Sequence, residues 1–186
     1  MADELLTPHL RLRRWNRDDR AALCEIFGQP EVWRFPFGRG LTPEETGAFL
    51  AHRIAEQATG AWCEWAAERR EDRKLIGYIG LARPYFLPEV MPTVEIGWRL
   101  DPSSWGRGLA TEGAKAALAD GFTHPDLDEV VSIYQPENEA SGRVMARLGM
   151  RFDRDTHHPT RGLALRVYRL SRVDWLRTSR QADSSG

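Results

Sequence analysis

The stretch Val94-Glu95-Ile96-Gly97-Trp98-Arg99-Leu100, continuing through Asp101-Pro102-Ser103-Ser104-Trp105 into Gly106-Arg107-Gly108-Leu109-Ala110-Thr111-Glu112, decides the fold. Thr93 to Leu100 reads as a strand, and beyond the loop Ala110, Ala114, Ala117, Leu118 and Phe122 recur on one face of a helix. Such small residues let a helix backbone lie close to a sheet. Between strand and helix, Gly106 and Gly108 let the chain turn tightly and aim several N–H groups outward at a helix N-terminus, where the dipole is positive. That arrangement favours an anion such as a pyrophosphate; the plain alternative is a tight turn without a ligand. Two familiar phosphate loops are excluded. A dinucleotide fingerprint needs a third glycine where Thr111 stands, and the pattern G-x-x-x-x-G-K-[ST] occurs nowhere in the chain.

Upstream, Pro84, Pro88 and Pro92 mark an exposed loop rather than a strand. Before it, residues 62–68 and 74–82 read as two strands joined by the charged turn Arg69 to Arg73, a hairpin. Thr42-Pro43-Glu44-Glu45 opens a helix with a capping box and a proline in its first turn, and Phe49, Leu50 and Ile54 supply its buried stripe. An earlier helix is capped by Asn16 or Asp18, carries Leu23, Ile26 and Phe27, and stops at Gly28 and Pro30. His9 to Trp15 precedes it as a strand, with Leu10 and Leu12 alternating against Arg11 and Arg13.

Downstream, residues 129–135 read as a strand, and Asn138 caps a helix that buries Ala140, Val144 and Leu148 and ends at Gly149. Strands near 151–155 and 163–170 close the fold. The order β-α-α-β-β-β-α-β-α-β-β predicts an α/β fold of the mixed α+β kind, with hairpins early and βαβ connections in the centre. It forms a single domain over residues 7–176, followed by a disordered polar tail, 177–186.

At 186 residues the chain has the length of one compact unit. Its 26 Lys+Arg against 27 Asp+Glu give a net charge of −1, so nothing draws it to nucleic acid or to an anionic membrane. Cys24 and Cys63 form no C-x-x-C pair and no ladder of half-cystines, which predicts buried reduced thiols. The N-terminus is acidic where a signal peptide is basic, and no apolar run reaches the roughly 18 residues of a span, so a cytoplasmic location is expected. His157 and His158 point to opposite sides of an extended chain, and no metal site is expected from them.

The quoted stretch, together with Asn138-Glu139-Ala140-Ser141 and Arg147-Leu148-Gly149-Met150, resembles the GNAT superfamily of N-acetyltransferases. Within it, the chain is similar to the RimJ/RimL-like branch, which acetylates N-termini of ribosomal proteins, and to that branch's small-molecule relatives. The similarity runs from Thr7 to Trp175. It implies a central, mostly antiparallel sheet with a splayed parallel strand pair and helices on both faces. Acetyl-CoA would be the cosubstrate, with no metal. The resemblance places Gly106, Arg107, Gly108, Leu109, Ala110 and Thr111 around the pyrophosphate of coenzyme A. Trp98, Arg99 and Leu100 would pair with the pantetheine arm like an added strand. Asn138 would bond the pantetheine, Ser141 would stand near the thiol, and Glu95 would be the general base, acting directly or through water. Asn138 and Ser141 fit equally as a helix cap and its N3 residue, and Glu95 as a strand carboxylate paired with an arginine. A bulge is expected at Gly97, where the strands would part. The chain departs from the family twice: Ser103 stands where many members begin the cradle with Gln or Arg, and Met145 where many carry the tyrosine that protonates the departing thiolate.

Acetyl transfer needs a neutral amine held against the thioester, donors for the oxyanion and a tolerable leaving group. An α-amine of pKa about 8 is roughly one-tenth neutral at pH 7, whereas a lysine near 10.4 is neutral to well below ~0.1%. Backbone N–H groups of Trp98 and Arg99 are the oxyanion candidates, and Ser141 or water replaces the absent tyrosine. The acceptor, a peptide N-terminus or a small amine, is expected to enter between residues 33–37, 84–92 and 157–159, where Arg34 and Arg39 could also hold an acidic group. Two other classes compete with an acyltransferase: a non-catalytic acyl-CoA-binding sensor on the same fold, suggested by Met145 and Ser103, and a bare scaffold, which leaves the glycine loop unexplained. Exposed edge strands leave room for a homodimer.

Overall fold

The computed structural model describes residues 2–60 and 62–183. Its strands are β1 (Glu4–Leu6), β2 (Leu10–Arg13), β3 (Trp65–Arg69), β4 (Lys74–Ala82), β5 (Val94–Leu100), β6 (Glu129–Tyr134), β7 (Arg151–His157) and β8 (Ala164–Ser171). The helices are α1 (Arg20–Phe27), α2 (Arg34–Phe37, a single turn interrupted at Phe35), α3 (Pro43–Ala58), α4 (Leu109–Gly121), α5 (Glu139–Arg147) and α6 (Arg172–Asp183). One sheet runs β1-β2-β3-β4-β5-β6-β8-β7, antiparallel at every step except β5 beside β6. The fold is the mixed α/β arrangement that the element order implied.

Local chemistry sets the boundaries. Thr42 accepts a hydrogen bond from the Glu45 N–H at 3.2 Å while the Glu45 carboxylate accepts the Thr42 N–H at 2.8 Å, which starts α3 where its capping box stands. Asn16 and Asp19 form the same reciprocal cap on a 3₁₀ turn that leads into α1. Helix α4 lies close against β4 because of glycine as well as alanine: a Cβ at Gly113 would sit 2.4 Å from Ile79 Cδ1, and one at Gly121 2.3 Å from Leu81 Cδ1. Leu10, Leu12, Ile79, Leu81, Ile96, Val130, Ala114, Ala117 and Leu118 close the core on this face, each large aliphatic contributing about 1.5–3 kcal/mol. On the opposite face α1 and α3 bury Leu23, Phe27, Trp33 and Leu50, with Phe27 edge-on to Trp33 at 5.1 Å.

Four sequence expectations change. The chain already joins the sheet at β1, before residue 7, because Leu5 pairs with Leu12 and packs against the core. The tail is not disordered from 177: α6 continues to Asp183, with Trp175 packed against Phe122, and residues 184–186 lie outside the described residues. Gly97 carries no bulge toward β4, since the register stays continuous through Gly80↔Gly97. Register shifts fall instead at Phe152/Arg154 of β7 and at Ala67/Glu68, where Ile76 is the extra residue of β4 and Leu75 and Tyr78 come to share a face. Cys63 is buried, whereas Cys24 is only half-buried.

Candidate active site

Parallel pairing between β5 and β6 consists of two steps, Val94↔Val130 and Glu95↔Val131, and then ends. From Ile96 onward the β6-facing edge of β5 has no strand beside it, while β6 continues along β8 to Tyr134. The sheet is thus open between its two central strands, so the splay does what the expected bulge would have done. Trp98 packs partly buried on the α4 core, and Arg99 turns to the opposite face. The Leu100 carbonyl already accepts the Trp105 indole N–H at 2.8 Å, a bond that ties the end of β5 to the start of the glycine loop.

That loop has the properties of an anion cradle. Gly106 and Gly108 hold φ of 72° and 80°, and a Cβ on either would meet nothing within 4 Å. Gly108 is the N-cap of α4 without a side-chain cap bond, and the first helical bond comes from Glu112 N–H, so the N–H groups of Leu109, Ala110 and Thr111 are unpaired by the helix. Leu109 is core and Ala110 packs against it, which restricts both to backbone contact with a ligand. Two hydroxyl oxygens near the cradle, Ser104 Oγ and Thr111 Oγ1, are buried without a hydrogen-bond partner. Arg107 is exposed, 3.6 Å from Glu71. Glu112, the acidic residue of the first turn, is directed elsewhere: burial pushes its carboxyl up, but bonds from Thr7 at 2.5 Å and from the His9 N–H at 2.8 Å outweigh that and hold it low. These residues suit a pyrophosphate.

Asn138 caps α5, its Oδ1 accepting the Ser141 N–H at 3.3 Å, so both of these residues stand at the helix start beyond the open end of β6. Gln135, between β6 and that cap, keeps a buried amide nitrogen with no partner. Met145 is buried in the α4-face core. A phenol does reach α5, though from β6 rather than from the helix: a Cβ at Gly142 would lie 3.2 Å from the Tyr134 hydroxyl. The sequence offered no signal for this, because it depends on how β6 meets α5.

Glu95 lies half-buried at the point where the strands part, and its carboxyl is pushed up to about 8 by burial first and by the charge of Glu64 second. The Ile133 backbone N–H, Arg99 and Arg53 pull the other way. Arg53 of α3 stands 3.1 Å from Glu64, pairs also with Glu56, and lies over the Phe49 ring at 5.1 Å. Burial raises Glu64 as well, against the pull of Arg53. Arg53 is therefore shared by Glu56 and Glu64, and among the described residues no arginine forms an ion pair with Glu95.

The three loops expected around the acceptor do converge. Arg99 donates to the Val32 and Phe35 carbonyls, Arg161 lies over the Phe37 ring at 4.3 Å, and His158 stacks on Phe86 at 5.7 Å. Arg39 is taken up by Glu45 at 2.6 Å, which weakens the reading of an acidic acceptor.

A splayed parallel pair, an unpaired strand edge and a glycine cradle at a helix N-terminus form a cleft suited to an extended ligand that carries an anionic group. Residues 9–151 match the acetyltransferase (GNAT) domain family, and the chain belongs to that family. It is 31% identical over 147 residues to YnaD, an uncharacterised N-acetyltransferase of Bacillus subtilis (strain 168), covering 79% of this chain and 82% of that protein. The fold is similar to that of a GNAT-family acetyltransferase from Bacillus anthracis, with a TM-score of 0.76 at 24% identity over 91% of this chain and 99% of the other. It also resembles RimL, the ribosomal L7/L12 α-N-protein acetyltransferase in complex with coenzyme A, with a TM-score of 0.74 at 17% identity over 92% and 98%. The protein is an acetyltransferase, and no helix among the described residues is long and apolar enough to cross a membrane.

Proposed function

We propose that this enzyme is a cytoplasmic N-acetyltransferase that transfers the acetyl group of acetyl-CoA to a primary amine by direct attack with both substrates bound, the acceptor being a protein N-terminal α-amine or a small-molecule amine. The carrying observation is the ladder that stops at Glu95↔Val131 and leaves the free edge of β5 between the glycine loop and Glu95. In this reading the N–H groups of Leu109, Ala110 and Thr111 hold the pyrophosphate, with Gly106 and Gly108 allowing close approach and Arg107 adding charge. Backbone of Trp98 and Arg99 and the side chain of Asn138 hold the pantetheine. Acetyl-CoA supplies an activated acyl carbon.

The chain's own residues then move protons. Glu95 accepts the proton the amine loses as its C–N bond forms, and Ser141 or a water returns one to the sulfur that leaves with the C–S electron pair. A thiol of pKa about 8.5 is a fair leaving group, so Met145 in place of a tyrosine need not stop the reaction. The RimL likeness favours a peptide α-amine, which also needs the least help from a base. Incubating the protein with labelled acetyl-CoA and a lysate split into macromolecular and small-molecule fractions tests this. Label on protein N-termini supports the ribosomal-protein-like branch and label in the small fraction a metabolite acetyltransferase. Label in neither, with coenzyme A bound, leaves the sensor reading.

A further inference from the structure

The sheet face that carries Glu95 holds a second carboxylate. Trp65 pairs with Ile79, so the antiparallel register brings Glu64 opposite Gly80, and a Cβ on Gly80 would lie 2.8 Å from Glu64 Cα. Gly80 in turn pairs with Gly97, two residues from Glu95 on the same face of β5. With strands about 4.8 Å apart, Glu64 and Glu95 thus flank a patch of sheet made of two glycines. The patch is open on the β5 side, because a Cβ on Gly97 would meet nothing within 4 Å. Tyr78 and Arg99, paired across β4 and β5, bound its far end.

Among the described residues, the carboxylates of Glu64, Glu95 and Glu56 outnumber the guanidinium groups that act on them, those of Arg53 and Arg99. Arg53 is shared between Glu56 and Glu64, and Arg99 is committed to the Val32 and Phe35 carbonyls and to the Trp33 ring. His52 reaches Glu56 from the exposed side of α3. Glu64 Oε2 is buried, and its one partner among the described residues is the Arg53 guanidinium at 3.1 Å, whose same nitrogen is claimed by Glu56. Buried carboxylates that share one guanidinium are costly to keep ionised unless a further cation or donor reaches them.

We propose that Glu64 is a specificity-determining residue: with Glu95 it forms a two-carboxylate slot over Gly80 and Gly97 that takes the acceptor as a cationic amine and turns away acceptors carrying a carboxylate beside that amine. The slot rests on the acetyl-transfer reading only for calling its occupant the acceptor. An ammonium supplies both the missing charge and the missing donors. A free α-amino acid would bring its own carboxylate against two others, and like charges brought together in a cleft repel strongly. Peptide N-termini and simple amines lack that group.

The test uses the whole protein without acetyl-CoA, carrying ¹³C-carboxyl glutamate, and two probes that differ by one carboxylate, phenethylamine and phenylalanine. Phenethylamine is expected to shift the glutamate carboxyl that titrates near the Glu95 value of about 8, with phenylalanine at least ~10-fold weaker. Glu64→Gln should lower that titration midpoint and weaken phenethylamine by at least ~10-fold. Gly97→Ala, which keeps every charge and fills the open floor, should weaken phenethylamine while leaving the midpoint in place. Equal response to both probes, or wild-type phenethylamine binding in the folded Glu64→Gln or Gly97→Ala protein, would overturn the slot. Failure of the acetyl-transfer reading would appear separately, as absence of coenzyme A binding.

Discussion

The Arg99 guanidinium lies 3.8 Å from the centre of the Trp33 ring and donates to the carbonyls of Val32 and Phe35. A β5 side chain therefore fixes the loop that walls the acceptor side of the cleft, while the backbone of the same residue belongs to the open strand edge. Stacking on Trp33 is worth up to about 2 kcal/mol when desolvated, and hydrogen bonds from a charged donor about 1.5–3 kcal/mol.

Arg99→Ala is accordingly expected to destabilise the protein by roughly 2–3 kcal/mol. It should also speed amide hydrogen exchange selectively at residues 32–37. Arg99→Lys keeps the charge but loses the planar fork and should fall between the two. Uniform exchange across the sheet with residues 32–37 unchanged would count against the anchor.

Glu95 makes opposite demands on activity and stability. As a base it works ionised, so turnover should rise with pH through about 8, and Glu95→Gln should lower turnover ~10² while acetyl-CoA affinity stays within a few-fold. Its folded value stands above the unfolded value of about 4.3, so the folded state binds the extra proton between the two. The Glu95 contribution to stability is then fully present below the lower value and is lost as pH rises toward about 8, and Glu95→Gln should remove that part of the decline. Urea melts at pH 5.5 and 8.5, beside a pH–rate profile, check both signs.

Much of this site can be read in the sequence because its signals are local. A G-x-G between a strand and a small-residue helix, and a capping box at Thr42, report their geometry through neighbouring residues, and the structure has both where the sequence has their signals. What sequence alone did not reveal depends on pairing between distant segments. Glu64 precedes β3 as one charged residue among many, and only the Trp65↔Ile79 and Gly80↔Gly97 registers carry it to the face of Glu95. Tyr134 likewise gains meaning only where β6 meets Gly142. The expected bulge at Gly97 failed for the same reason, since the parting of the sheet lies in the two-step ladder between β5 and β6. The helical continuation past 177 follows from Trp175 packing against Phe122, a contact that a polar composition does not announce.

Gly108 combines a φ of 80° with open space above its Cα. Gly108→Ala should cost about 1–2 kcal/mol of stability, from the left-handed backbone alone. Its methyl would also stand where the cradle receives its ligand, so coenzyme A affinity should fall by roughly tenfold or more, equivalent to ~1.4 kcal/mol. Calorimetric titration with coenzyme A and a denaturant melt separate the two losses. A destabilised variant with unchanged affinity would mean that the loop is only a turn.

Ser103 is exposed in the turn that leads into the glycine loop, its N–H donating to Asp101 at 2.8 Å, and its short hydroxyl leaves Arg107 as the charged side chain of the loop. Replacing it with arginine adds a forked, permanently charged donor beside the N–H groups of α4 without disturbing the Asp101 bond, which uses backbone. A charge-assisted contact of about 1.5–3 kcal/mol should therefore tighten coenzyme A binding by ~10-fold or more at low salt. Because the contact is exposed, the gain should shrink as ionic strength rises and the Debye length falls toward ~8 Å at physiological salt. Titrating Ser103→Arg and the unaltered protein with coenzyme A and with dephospho-coenzyme A across a salt series tests the placement. Dephospho-coenzyme A keeps the pyrophosphate and lacks the 3′-phosphate, so a gain retained with both places the new charge at the pyrophosphate. A gain seen with neither would mean that residue 103 does not face the cradle.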